Sequence, residues 1–437
     1  MMKKYFYALL LMFLGLHISN AQAEKLNDIL FELPDVIFTQ IESAEGYESS
    51  YELKIKQPLD HSDASKGFFY QRAFLSHKDF LAPTVIITQG YSRDKNSIGE
   101  LSKFLGANQI DVEHRFFGES LPDSLNYKYL NLKQATADLH HIRQLFTSIY
   151  SGKWVSTGIS KGGATTIFYR YFYPDDVDVS VPYVAPINRA QEEPRIYHFL
   201  DTIGSDDCRN RIESFQKRVL SNRDQLLPLF RFYSLGAKVD FTYHTFEEAF
   251  EYTVLEYPFS FWQYGHDCEK IPDDQSSAEE MAKYLLSVSD IAFFGDENIK
   301  KYGSHYYQSA AEMGYYGYET KDFEGYLIAL PNDENPQATF VPNKMQVHFD
   351  GQLLKDVNKW LEKEADRMLY IYGGIDTWSA SAVPENDKVD AEWFFLNGKH
   401  HGNARISGMT EEEKERFRTA LERWLSIKIE NTGVNEK

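Results

Sequence analysis

Residues 153–163 read Lys-Trp-Val-Ser-Thr-Gly-Ile-Ser-Lys-Gly-Gly, and Gly158 and Gly162 stand two positions before and after Ser160. A β-rich run precedes the serine, and an apolar, aromatic run with the character of a buried helix follows it. A strand, a tight turn with serine between glycines and a helix are typical of a nucleophile elbow. The pattern predicts that Ser160 is a nucleophile. It also predicts that the Lys161 amide, at a helix N-terminus, stabilises a developing oxyanion.

Short apolar or alternating runs on both sides of the elbow predict strands. Besides the elbow strand these runs are Tyr51–Lys56, Phe68–Leu75, Thr84–Thr88, Gln109–Arg115, Val177–Val184, Arg367–Gly374 and Ala391–Leu396. The first two indicate a hairpin, and residues 131–150 have helical periodicity. Strands that alternate with helices across short loops predict a mostly parallel sheet flanked by helices. The predicted fold class is therefore α/β, of the α/β-hydrolase type.

Between about Asn188 and Asn343 the strand pattern gives way to long amphipathic stretches, such as Arg209–Leu227 and Phe246–Leu255. We interpret 188–343 as a large helical lid inserted between two parts of the hydrolase core, 24–187 and 344–437. Residues 24–50 indicate no clear element. A Thr-x-x-Glu capping box at Thr410 predicts a closing helix.

The first 23 residues have a basic start, a short apolar middle and an Ala-x-Ala site ending at Ala23, which predicts a secretory signal peptide. The alternative is a membrane anchor, but the apolar run Tyr5–Leu16 is shorter than the ~20 residues that span a bilayer. We therefore expect an exported protein without stable membrane insertion.

Composition narrows the possible partners. The formal net charge of −19 argues against nucleic acid. The only cysteines, Cys208 and Cys268, could form one disulfide in an exported protein, and two buried free thiols are the alternative. No cysteine or histidine spacing suggests a metal site, so we expect neither a metal nor a cofactor. No oligomeric state is predicted.

An activated serine needs a base, and the base needs a carboxylate that fixes its tautomer. In α/β-hydrolases the acid and then the histidine follow the serine, each on a loop after a late strand. Asp376 follows one such strand, and His400 and His401 follow the next. We favour His401, because Gly402 would let its ring approach the serine closely, and His400 is the alternative.

Two stretches before the elbow also lie at predicted strand ends. Tyr91, after Gly90, is at the position expected for the second oxyanion donor. Glu113-His114-Arg115 is interpreted as a buried ion pair that braces the sheet edge.

Several motifs together resemble the secreted bacterial prolyl tri- and tetrapeptidyl aminopeptidases and, more distantly, the lysosomal prolyl carboxypeptidase and dipeptidyl-peptidase II family. They are Val112-Glu-His-Arg-Phe-Phe-Gly-Glu-Ser120, the elbow, Gly373-Gly-Ile-Asp-Thr-Trp-Ser379 and Tyr307-Gln-Ser-Ala-Ala-Glu-Met-Gly-Tyr-Tyr316. Two positions depart from the lysosomal relatives: Thr377 replaces a proline, and the last motif has alanine in place of cysteine.

The resemblance implies a serine exopeptidase that releases short peptides from free N-termini, often after proline, with Ser160, Asp376 and one histidine as its triad. It also implies that Gln308, Glu312 and Trp378, which lie in the matched motifs, bind substrate. We hypothesise that Glu312 binds the substrate's ammonium group; the alternative is a structural acid satisfied by backbone amides. An esterase of the same fold and a secreted binding protein without catalysis are the competing functions.

Overall fold

The computed structural model describes residues 25–330 and 340–429. Within them one sheet has nine strands in the order β1-β2-β3-β5-β4-β6-β7-β8-β9. The strands are β1 (Val36–Ile41), β2 (Ser49–Pro58), β3 (Phe68–His77), β4 (Thr84–Thr88), β5 (Asn108–Val112), β6 (Trp154–Ile159), β7 (Val179–Tyr183), β8 (Leu369–Gly373) and β9 (Glu392–Leu396). The predicted signal peptide lies outside the described residues.

The sheet is antiparallel at one edge and parallel elsewhere. β1, β2, β3 and β5 pair antiparallel in that order, whereas β4 lies parallel between β5 and β6. β8 is parallel to both β7 and β9. With helices between the parallel strands, this is an α/β-hydrolase fold, as the alternation of elements in the sequence predicts.

Helices connect the strands. They are α1 (25–32), α2 (Glu100–Leu105), α3 (Leu132–Thr147), α4 (Lys161–Phe172), α5 (Pro194–Thr202), α6 (Asp206–Ser221), α7 (Arg223–Ala237), α8 (Phe246–Tyr264), α9 (Ala278–Val288), α10 (Asp296–Lys301), α11 (Gly303–Gln308), α12 (Gln352–Lys363) and α13 (Glu411–Leu425). Helices α5 to α11 lie within the range 188–343. No helix of 25–330 or 340–429 is both long and apolar enough to cross a bilayer.

The described residues form two compact units, divided after Pro182. The first holds the residues up to Pro182 and those from Lys414 onward. Its core packs α1, α3 and the strands β2 to β6 around side chains such as Trp154 and Phe146, both fully buried. The Thr410–Glu413 capping box, the last residues of the second unit, opens α13 with reciprocal hydrogen bonds of 2.8 and 3.2 Å between Thr410 and Glu413.

The second unit, Tyr183–Glu413, contains α5 to α12 and the strands β8 and β9. Its core is aromatic, with Phe215, Phe230 and Phe250 fully buried. A disulfide joins Cys208 on α6 to Cys268 after α8, with the two Cα atoms 5.5 Å apart.

Three local predictions differ from the structure. Residues 24–50 were expected to lack a clear element, but they contain α1 and β1; β1 is an edge strand whose side chains remain partly or fully exposed, so its sequence carries no strong apolar alternation. The stretch Arg209–Leu227 is two helices, because the chain breaks at Asn222. The stretch Phe246–Leu255 is the first half of the longer α8.

Candidate active site

Ser160 lies at the turn between β6 and α4, with φ 57° and ψ −125°. A positive φ is strained for any residue with a Cβ, and such strain is characteristic of functional turns. The flanking glycines make the turn possible. A Cβ on Gly158 would collide with the Gly162 carbonyl, and one on Gly162 would collide with the carbonyl of Thr88. The backbone therefore has the geometry of a nucleophile elbow.

The loop after β4 packs directly on the start of α4. A Cβ added to Gly90 would lie 2.6 Å from Lys161 Cβ and 2.8 Å from the Gly162 nitrogen. The Lys161 ammonium donates a hydrogen bond of 2.8 Å to the Gly90 carbonyl. Ser160, Lys161 and Tyr91, which the sequence assigned to the nucleophile and the oxyanion donors, thus belong to one local cluster in the first unit.

Glu113, directly after β5, is fully buried and forms hydrogen bonds with the loops around this cluster. Its carboxylate accepts hydrogen bonds from the Arg72 guanidinium (2.7 Å), the Arg93 amide (2.7 Å) and the amides of Glu119 and Ser120 (2.8 and 3.0 Å). The loop after β4 and the turn after β5 are therefore fixed by the same carboxylate.

The predicted Glu113–Arg115 motif is not one ion pair. Arg115, also fully buried, pairs instead with Asp138 on α3, donating hydrogen bonds of 2.6 and 2.7 Å to its two carboxylate oxygens. Both residues follow the end of β5 at Val112, and the turn that begins there brings each charge to a different partner.

In the second unit, Asp376 and His401 form a pair. His401 Nδ1 lies 2.7 Å from Asp376 Oδ2, and Asp376 has no exposed surface. The other carboxylate oxygen, Oδ1, accepts a hydrogen bond of 3.1 Å from the Trp378 amide. A buried carboxylate in this position holds the imidazole with its proton on Nδ1, which leaves Nε2 able to accept a proton.

His400 has a different environment from its neighbour. Its Nδ1 accepts a hydrogen bond of 3.2 Å from the Gly402 amide, and its ring packs against Gly265. Burial lowers the pKa of His400. The contact with the carboxylate distinguishes the environment of His401 from that of His400.

Helix α8 holds the loops of both partners. The Gln263 carbonyl accepts a hydrogen bond of 3.0 Å from the His401 amide, and the Phe259 carbonyl accepts one of 2.8 Å from Thr377 Oγ1. The threonine that replaces the proline of the lysosomal relatives therefore anchors the acid loop to this helix.

Trp378, expected to bind substrate, lies in an aromatic cluster beside Asp376. Its ring centroid is 5.1 Å from that of Phe259 and 5.5 Å from those of Tyr315 and Tyr316. The cluster is mostly buried: Trp378 is 8% exposed, and Phe259 and Tyr316 are less exposed still.

Glu312 and Gln308 belong to an unusual turn. Gln308 ends α11 and is fully buried, and Ser309–Met313 forms a π-helix on which Glu312 is half-buried. The Met313 carbonyl accepts a hydrogen bond of 3.0 Å from the Asn188 side chain, which anchors the turn. π-Helical turns are frequent at functional sites.

The sequence did not single out Glu256, although one acid in the apolar run Tyr252–Phe259 of α8 is a visible signal. The side chain is buried and accepts hydrogen bonds of 2.8 Å from the hydroxyls of Tyr316 and Tyr318 and one of 2.9 Å from Ser260. Burial raises the pKa of Glu256 to about 7.

An α/β-hydrolase fold with a serine at a strained elbow is typical of serine hydrolases. The chain belongs to the PS-10 peptidase S37 family, whose sequence profile matches residues 19–436. It is therefore a serine peptidase, as its resemblance to the prolyl tri- and tetrapeptidyl aminopeptidases predicted.

Curated relatives agree with this family. The chain is 29% identical over 428 residues to a prolyl tri/tetrapeptidyl aminopeptidase of Streptomyces mobaraensis, covering 96% of this chain and 89% of the relative. It is 23% identical to prolyl carboxy peptidase like protein 5 of Caenorhabditis elegans, covering 88% and 91%. Among solved structures, a proline iminopeptidase of Mycobacterium smegmatis aligns with 12% identity and a TM-score of 0.37, covering 85% and 97%.

Proposed function

We propose that the protein is an exported serine exopeptidase of the aminopeptidase type. It releases tri- or tetrapeptides from free N-termini, with a preference for proline-containing substrates, and Ser160, His401 and Asp376 are its catalytic triad. The observation that carries the catalytic assignment is the 2.7 Å contact between His401 Nδ1 and the buried Asp376 carboxylate.

The reaction is acyl transfer in two stages. His401 Nε2 takes the proton of the Ser160 hydroxyl as its oxygen attacks the scissile carbonyl, and Asp376 stabilises the imidazolium that forms. The amides of Lys161 and Tyr91 donate hydrogen bonds to the oxyanion. The imidazolium then protonates the leaving amine, and water hydrolyses the acyl-enzyme by the same route.

Substrate selection is assigned to the lid and to Trp378 in the loop after β8. The name of the Streptomyces relative supports the release of short peptides and the preference for proline. Trp378 and the rings around it provide an apolar surface for the proline ring. Glu312 anchors the substrate's ammonium group and so sets how many residues are released, while the buried Gln308 supports the turn that carries it. The disulfide supports export to an oxidising compartment.

The nucleophile is tested with a peptidyl phosphonate ester, which labels an activated serine covalently. The protein should be labelled once, and Ser160→Ala should abolish both labelling and cleavage. Ser148→Ala, at an exposed position after α3, is the matched control. Cleavage by Ser160→Ala would refute the triad, and turnover of short acyl esters without any cleavage of proline peptides would favour the esterase alternative.

The N-terminal anchor is tested by comparing free and acetylated peptides with Glu312→Gln. Free peptides should lose affinity while acetylated ones do not, because only the free ammonium can pair with the carboxylate. Glu324→Gln, on the exposed surface of the same unit, is the control. Equal losses for both peptide types would show that Glu312 is a structural acid. A digest of defined peptides, read by mass spectrometry, gives the number of residues released.

A further inference from the structure

The side chain of Lys161 is not explained by the elbow alone. The residue directly follows the nucleophile, opens α4 and is only 2% exposed. Burying an ammonium group is costly, and a cation at a helix N-terminus is repelled by the positive end of the helix dipole. Both effects destabilise the buried ammonium group. The contacts that the ammonium makes must offset this cost, and they indicate the role of the lysine.

Three contacts of the ammonium lie on the loop after β4 and the turn after β5. The ammonium donates a hydrogen bond of 2.8 Å to the Gly90 carbonyl. It also lies over two aromatic rings, 5.5 Å from the centroid of Tyr91 and 5.2 Å from that of Phe117. These two rings contact each other edge to face, with centroids 5.6 Å apart. Ring faces attract a desolvated cation, which offsets part of the cost of burial.

The Gly90 carbonyl and the Tyr91 amide belong to the same peptide group. A planar trans peptide fixes the N–H direction opposite to that of the C=O. A cation on the carbonyl oxygen therefore orients the Tyr91 N–H. It also polarises the group and makes that N–H a stronger donor.

We propose that Lys161 is a positioning residue of the oxyanion site, whose side chain orients and polarises the Gly90–Tyr91 peptide group. This inference rests on the proposed roles of the Lys161 and Tyr91 amides. One residue then serves both donors: its backbone amide is the first, and its ammonium aligns the second. Because Ser160 and Lys161 are adjacent in the chain, the contact of Lys161 with Gly90 also fixes the position of the loop after β4 relative to the Ser160 hydroxyl.

The test compares a transition-state analogue with a ground-state ligand in Lys161→Met. A peptidyl boronic acid forms a tetrahedral adduct with the serine and uses the oxyanion donors. The product ligand is a tripeptide analogue with hydrogen in place of its C-terminal carboxylate, so it has no oxygen to place at those donors. We expect boronate affinity and kcat to fall by about 10- to 100-fold, the range for loss of a charge-assisted hydrogen bond at such a site. KM and product affinity should change by less than about threefold, because ground-state binding does not depend on the polarised donor.

Lys128→Met is the matched control, because Lys128 also lies over an aromatic ring, that of Tyr129 at 5.8 Å, but is exposed. Because only folded protein binds the product ligand, its binding gives the amount of folded protein in each preparation. If Lys161→Met does not fold, Lys161→Gln, which keeps an N–H donor, is measured instead. Equal losses of boronate and product affinity, or no loss relative to Lys128→Met, would overturn the proposal. A wild-type protein that neither cleaves peptides nor binds the boronate would instead refute the proposed function.

Discussion

Replacement of Asp376 by asparagine should remove catalysis while leaving the fold nearly intact. The two side chains have the same shape, and the two carboxylate oxygens have different partners. Oδ1 accepts a hydrogen bond from the Trp378 amide, and Oδ2 contacts His401 Nδ1 at 2.7 Å. In Asp376→Asn the amide oxygen keeps the Trp378 hydrogen bond, so the NH₂ group must face His401.

That orientation reverses the polarity of the contact with the histidine. An NH₂ group requires an acceptor, so the imidazole places its proton on Nε2 and loses the lone pair that would deprotonate Ser160. A wrong tautomer of this kind lowers kcat by about 10⁴-fold, which corresponds to about 5.4 kcal/mol of transition-state stabilisation. The free energy of unfolding should change by only about 1 kcal/mol, because the side chain at 376 still makes one hydrogen bond to the Trp378 amide and one to His401.

The assay is kcat with a proline-containing peptide, alongside thermal unfolding of the same preparation. Asp176→Asn is the matched control, because Asp176 Oδ2 contacts His140 Nδ1 at 2.8 Å in an equivalent Asp–His pair. It should retain wild-type kcat. The reasoning is refuted if Asp376→Asn keeps more than a tenth of wild-type kcat, or if Asp176→Asn loses as much as it does.

Three further predictions concern stability. Burial raises the pKa of Glu256 to about 7, so the folded state keeps a proton that the unfolded state releases near pH 4.5. Stability should therefore fall between pH 4.5 and 7 by about 3 kcal/mol relative to Glu256→Gln, whose amide can satisfy the same hydroxyls. Glu113→Ala should cost about 3–5 kcal/mol, since it leaves a buried guanidinium without its carboxylate, whereas the exposed Glu119→Gln should cost less than about 1 kcal/mol. Replacing Cys208 and Cys268 by serine should lower the free energy of unfolding by about 4 kcal/mol, because a loop spanning 60 positions loses its closure.

Urea unfolding followed by fluorescence and circular dichroism checks all three. Parallel pH profiles for wild type and Glu256→Gln would contradict the buried, protonated carboxyl. Equal effects of Glu113→Ala and Glu119→Gln would contradict the role of Glu113. Dithiothreitol should destabilise the wild type but not the double cysteine variant; destabilisation of both would show that it acts on something other than the disulfide.

The elements that the sequence predicted well are those whose physics is local. The elbow requires glycine at 158 and 162 because a Cβ at either position would clash with backbone atoms. This requirement is visible in the sequence as the spacing of the two glycines around Ser160. The strand β4 is an uninterrupted apolar run, Thr84–Thr88, and was predicted to the residue. The Thr410 capping box likewise predicted the start of α13 from two side chains three positions apart.

The features that the sequence did not provide depend on partners far away in the chain. Glu113 and Arg115 look like one ion pair because they are neighbours, yet their charges are satisfied by Arg72 and Asp138, 41 and 23 positions away. The preference for His401 over His400 rested on a neighbouring glycine, and nothing in the sequence indicated the 2.7 Å contact between His401 and Asp376.

The sequence by itself therefore determined the fold class and the backbone turn at Ser160, because backbone sterics and apolar periodicity depend on residues that are close together in the chain. Only the tertiary structure decided which histidine meets the carboxylate, where the buried charges find partners and why Lys161 reaches the Gly90 carbonyl. Hydrogen-bond partners are chosen by distance in space, and folding sets that distance independently of separation along the chain.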